Sequence, residues 1–146
     1  MTKSIILTFL ALIGVFLLIA SEFFIPVVRE LFKGSIVFLL PFIILSLLGI
    51  ILVFLTLKQK VGGALKKFLI LTGISAGGFF VSVFLHNIFY GLSIITNQIS
   101  ILSFVMEMFD IAFFIIAIFI CPLAFAIGLI GTIIIFIKKK KENSVL

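Results

Sequence analysis

The sequence predicts an all-α fold, a four-helix transmembrane bundle with an interfacial segment between spans three and four. Two observations carry this. The chain of 146 residues is 64% apolar and only 11% charged, with mean hydropathy +1.57. A soluble domain holds roughly 45–50% apolar and about 25% charged residues, so a water-soluble fold is excluded. The apolar residues also gather into four stretches, each long enough for a hydrocarbon layer of roughly 30 Å, which takes about 20 residues at 1.5 Å each.

The spans run from about Ser4 to Phe24, Ile36 to Leu57, Phe68 to Tyr90 and Ile111 to Ile137, in one transmembrane domain of residues 1–146 with a Lys-rich tail over 138–146. Each is rich in Leu, Ile and Phe all round, as expected where the solvent is lipid. The first resembles a signal peptide in having Lys3 ahead of the apolar run and Ala20 before Ser21. A cleavage site wants small residues at both critical positions, and Leu18 occupies the outer one, so an uncleaved anchor is expected.

Charge sorts the connections. Lys58, Lys60, Lys66 and Lys67 crowd the loop after span two, and Lys138, Lys139, Lys140 and Lys141 follow span four; with Lys3 that side holds nine cations against Glu142 alone. The other side holds Arg29 and Lys33 against Glu22, Glu30, Glu107 and Asp110. The excess of lysine then places both termini in the cytoplasm. Between spans three and four, Ser93, Thr96, Asn97, Gln98, Ser100 and Ser103 interrupt Ile94, Ile95, Ile99, Ile101, Leu102 and Phe104. The segment 91–109 is too polar to span and too apolar to float free, and is expected along the outer interface, partly helical.

Lipid-embedded helices meet where small residues let backbones approach. In span four Ala117, Cys121, Ala124, Gly128 and Gly131 recur at steps of four and three, which keeps them on one face. Asp110, seven residues earlier, extends that stripe outward. Span three has two such faces. Gly73, Gly77, Phe80, Phe84 and Asn87 form one, and Ser75, Gly78, Ser82 and His86 the other, so this helix is expected in the middle of the bundle. Pro122 inside span four removes the hydrogen bond to the carbonyl of Ile118, and a kink is expected there.

Function is less legible. The single cysteine excludes an internal disulfide and the paired thiols of disulfide exchange. The cations sit at chain ends and in one loop without aromatic interleaving, which points to anionic lipid and away from nucleic acid. No charged residue is expected inside a span, which counts against proton-coupled export through a membrane-embedded carboxylate. The polar residues that come together are at the outer ends of spans three and four: His86, Asn87, Glu107 and Asp110. Asp110 is the better partner for His86, because the small-residue stripe aims it into the bundle, while Glu107 is freer to face water. A structural hydrogen-bond network is the first expectation; ligand or ion binding, and then catalysis, are the alternatives. With one histidine in the chain and no His-Glu-x-x-His, no metal or cofactor is expected.

The run Leu85-His86-Asn87-Ile88-Phe89-Tyr90-Gly91, followed by Glu107, Phe113-Phe114, Cys121-Pro122 and Gly128, resembles small multi-pass membrane proteins of bacteria and archaea that end a span in Leu-His-Asn and carry Cys-Pro in the last one. The resemblance implies a prokaryotic plasma-membrane protein and transfers no catalytic residue. The functional expectation is a non-enzymatic integral membrane protein that acts through helix contacts, as an accessory or stabilising subunit. Its partners would be the lipid bilayer and a second copy or a larger membrane complex. An oligomeric transporter or channel component is the alternative.

Overall fold

The computed structural model describes residues 2–32 and 36–143; the expected outward placement of Lys33 and the last three residues of the tail lie outside them. Four helical stretches, Lys3–Phe24, Val37–Lys58, Gly63–Ile95 and Ser100–Lys138, are long and apolar enough to cross a membrane, and no strand occurs among the described residues.

Helix α1 (Lys3–Phe24) turns an inward stripe of Ile5, Phe9, Leu12, Ile19 and Glu22. It stops at Ile25, whose extended backbone (φ −107°, ψ 108°) suits the residue before a proline. Pro26 then opens the short helix α2 (Pro26–Phe32), where its missing N–H costs nothing. A single 3-10 turn (Ile36–Leu39) leads into α3 (Leu40–Lys58), with Pro41 in its first turn. At the lysine-rich end Lys60 (φ 50°) and Gly63 (φ 66°) both take left-handed backbone to reverse the chain. There the Thr2 hydroxyl donates to the Gln59 side-chain carbonyl, tying the start of α1 to the end of α3.

Helix α4 (Gly63–Ile95) has 33 residues, about 50 Å at 1.5 Å per residue and more than a bilayer core needs. After a turn at 96–99, α5 (Ser100–Ile115), a π-helical turn (Ile116–Ile120) and α6 (Cys121–Asn143) follow without a break. Residues 91–109, expected at the outer interface and partly helical, form the end of α4, the turn and the first part of α5, a helical hairpin joining spans three and four. The reason is local pairing. The hydroxyls of Ser93, Thr96 and Ser103 donate to the carbonyls of Tyr90, Leu92 and Ser93, so they take up backbone acceptors within the hairpin. Phe89 meanwhile stacks on Phe109 and Phe113 at 5.1 and 5.5 Å between ring centroids, sealing the two helices together.

Pro122 is accommodated through the π turn. Pro122 cannot donate to Ile118, and the chain shifts register so that the Cys121 N–H meets the carbonyl of Ile116, five residues back.

Helix α4 sits centrally, with its backbone against α3, α5 and α6, and its spanning part has the largest buried share, 39%. Glycine sets its distance from two neighbours. A Cβ placed on Gly49 of α3 would lie 2.6 Å from the carbonyl oxygen of Gly73, and one on Gly128 of α6 would lie 2.7 Å from the amide of Thr72. Helix α1 is the exception. Its backbone approaches α3, whereas no Cα of α1 comes within 8 Å of α4 or α6 among the described residues. It reaches α6 through side chains, with the rings of Phe16 and Phe125 4.8 Å apart.

Candidate functional site at the hairpin end

His86, on the third turn from the end of α4, faces the second half of α5. Its Nδ1 lies 2.5 Å from Oδ1 of Asp110, with the two side chains 29% and 16% exposed, and 3.4 Å from the Asp110 backbone carbonyl. The contact to the carboxylate is one of position: Oδ1 of Asp110 is buried and has no hydrogen-bond partner among the described residues, and the pair carries opposite charges when the ring holds both protons. The ring leans on Phe114 at 5.3 Å, which fixes its plane. A groove of about 470 Å³ with mixed polar and apolar walls opens beside the pair, lined by Tyr90, Ser93, Ile94, Asn97, Ser103, Glu107, Asp110 and Ile111.

The other residues singled out from the sequence divide. Glu107 lines the groove and is exposed. Asn87 is exposed and donates to the Val83 carbonyl of its own helix, so it takes no part in the cluster; one step around the helix from His86 is 100° away from Asp110. Among the described residues no group of three His, Cys, Asp or Glu side chains is placed to hold a metal ion. The groove hydroxyls of Ser93 and Ser103 are directed to backbone carbonyls, not to the imidazole.

The packing residues are distributed over two faces of α4. Gly73 and Gly77 meet α3, where the Ser46 hydroxyl donates to the Gly77 carbonyl at 3.2 Å and Gly49 meets Gly73. Cys121, Gly128 and Gly131 meet Gly78, Thr72 and Phe68 on the other face, with Ala117 buried and Ala124 half-buried along the same stripe. Gly49 was not singled out from the sequence, although Ser46 and Gly49, three apart in span two, are the signal that would have found it.

Two buried polar groups were also missed. Glu22, expected as an outer-loop charge, is 1% exposed inside the bundle, and neither of its oxygens has a hydrogen-bond partner among the described residues. This corrects the expectation that no charged side chain enters a span. Glu22 lies in the last turns of α1, three residues beyond Ile19 on the inward stripe. Thr132 of α6 is likewise 1% exposed, and its hydroxyl has no hydrogen-bond partner among the described residues. It lines an apolar cleft of about 190 Å³ with Ile6, Phe9, Leu10 and Ile13 of α1 and Ile133 and Phe136 of α6.

No protein-family model matches this chain, and neither the curated proteins nor the solved structures contain a match to it.

Proposed function

We propose that this chain is a non-enzymatic integral membrane protein of a prokaryotic plasma membrane, with both termini cytoplasmic, acting through helix contacts as an accessory or stabilising subunit. The observation that carries the reading is the seam between α1 and α6. The other spanning helices close on one another through glycine, but α1 and α6 stay apart at the backbone and leave a cleft with a buried, unpartnered Thr132 hydroxyl. A side chain of a neighbouring helix that enters the cleft would pack on its apolar wall and give the hydroxyl, 1% exposed in the single chain, a hydrogen-bond partner. The lysines at one end of the bundle support the orientation, and the Leu-His-Asn and Cys-Pro runs support the prokaryotic origin.

The test is photocrosslinking in native membranes. A crosslinker at Leu10, which lines the cleft and is 57% exposed, is expected to give a discrete protein adduct. One at Ile74, exposed on α4 and absent from the cleft, is expected to give none. Lipid adducts alone from both positions would contradict the reading. The second reading, an oligomeric transporter or channel component, draws its support from Glu22, a carboxylate within a span of the kind that marks ion and proton pathways.

A further inference from the structure

Towards the hairpin end the seam holds a second cavity, of about 200 Å³, walled by α1, α3, α4, the π turn and the start of α6. Its wall residues sort by exposure. Phe42, Leu45, Ser75, Ala76, Cys121 and Phe125 are buried and form the floor, whereas Phe23 of α1, Ile118 of the π turn and Pro122 are exposed. The mouth therefore lies where no Cα of α1 comes within 8 Å of the π turn or α6 among the described residues. It faces whatever surrounds the spans.

Depth and chemistry identify the occupant. On α1 the cavity runs from Phe16, just past the middle of the helix, to Phe23 in its last turn, about 10 Å at 1.5 Å per residue. The chains of one leaflet fill that same depth, half of a hydrocarbon core of roughly 30 Å. An apolar cavity of about 150 Å³ stays dry and holds a benzene, so this one has room for about eight carbons. Phe16 and Phe125, their ring centroids 4.8 Å apart, close the end nearer the Thr132 cleft, and neither lines that cleft. Phe42 and Phe79 stack at 5.7 Å, which holds their rings at the wall. The walls offer a polar ligand no partner. The Ser75 hydroxyl donates to the Leu71 carbonyl of its own helix at 2.7 Å, the Cys121 thiol is a weak donor, and the other lining side chains are apolar. A polar group brought here would lose its hydrogen bonds, which leaves plain hydrocarbon.

We propose that this cavity holds one acyl chain of a phospholipid from the hairpin-side leaflet, which enters between Phe23 on one side and Ile118 and Pro122 on the other. The lipid outside is as apolar as the cavity, so the chain is retained by dispersion contacts on several sides and not by transfer out of water. The site is independent of the accessory role, because it uses neither Thr132 nor the cleft that Thr132 lines.

The test is carbene labelling of the full chain, purified and reconstituted in vesicles of phosphatidylcholine and phosphatidylglycerol with a trace of a phosphatidylcholine that carries a diazirine near the middle of one acyl chain. Adducts are placed on residues by mass spectrometry of peptides. Lipids around the bundle label exposed residues, but only a chain inside the cavity reaches Ser75, Ala76 and Cys121. Ser46, next to Leu45 in α3, and Leu12 of α1 are the controls, since both are buried and neither lines the cavity. The floor residues are expected to carry about tenfold or more adduct than the controls. Cys121→Phe, which puts a ring into the cavity, is expected to remove the adducts at Ser75 and Ala76 while exposed Ile74 still labels. A floor labelled no more than the controls, or labelling of Ser75 and Ala76 that survives Cys121→Phe, would overturn the proposal and leave the crosslink at Leu10 untouched. The wild-type comparison decides by itself if Cys121→Phe fails to fold.

Discussion

Replacing Gly128 by alanine probes the contact between α4 and α6. The new methyl carbon would lie 2.5 Å from the Thr72 hydroxyl, 2.7 Å from the Thr72 amide and 3.1 Å from the Phe68 carbonyl. The hydroxyl can rotate away, but the amide and carbonyl are backbone and held in the helix ladder. Restoring ordinary contact at 3.4 Å from the amide needs a retreat of about 0.7 Å. A gap of that size forfeits roughly a quarter to a half of the dispersion energy of the atoms it separates. Overpacking of this kind costs about 1–3 kcal/mol, and alanine returns up to about 1 kcal/mol through its better helix propensity. The net expectation is a loss of up to about 2 kcal/mol against the wild type, and of about 1–3 kcal/mol against a glycine-to-alanine change that meets nothing. Gly14→Ala is the control, because nothing lies within 4 Å of its added carbon and only the propensity gain remains. Equilibrium unfolding of both variants in mixed micelles measures the difference. If Gly128→Ala proves as stable as Gly14→Ala, glycine does not set the distance between α4 and α6.

Gly49→Ala meets the Gly73 carbonyl at 2.6 Å and the Gly77 amide at 2.9 Å, and is expected to cost as much as Gly128→Ala in the same assay. At the hairpin end His86→Gln keeps a donor for Asp110 and is expected to lose less stability than His86→Leu; the difference is about 1 kcal/mol, small because both side chains remain partly wet. Thermal unfolding that ranks the two variants equally would remove the contact's structural role. For topology, a cysteine at position 62 in a Cys121→Ser background is expected to react with an impermeant thiol reagent only after the cells are opened; labelling of intact cells would invert the orientation.

The spans and their inward faces were legible because they depend on local pattern. Length and composition located all four spanning helices, and the small residues of span four pointed to the face that meets Thr72 and Phe68. The His86 contact with Asp110 followed from the same periodicity carried two turns outward. What escaped depends on partners distant in the chain. The polar interruptions of residues 91–109 show a connector, but that it is a helical hairpin depends on Phe89 finding Phe109 and Phe113. Asn87 neighbours His86 in sequence, yet only the elements packed around α4 decide which of the two meets α5. Glu22 carries a charge at the edge of an apolar run and reads as loop; its burial arises from the inward stripe of α1, which continues one turn beyond Ile19. Pro122 announces a broken hydrogen bond, but whether the helix bends or takes a π turn depends on the packing around it.

The seam between α1 and α6 is tested most directly by the native mass of the protein extracted in mild detergent, compared between the wild type and Thr132→Val. Valine keeps the outline of threonine and puts a methyl where the hydroxyl was, and that hydroxyl makes no hydrogen bond within the chain among the described residues. The folded protomer of 16.2 kDa should therefore be unharmed by the change. The expected result is a wild-type particle heavier than one protomer that falls towards protomer mass in Thr132→Val; a wild type that runs as a single chain, or a complex indifferent to the loss of the hydroxyl, would contradict a role exercised through that seam.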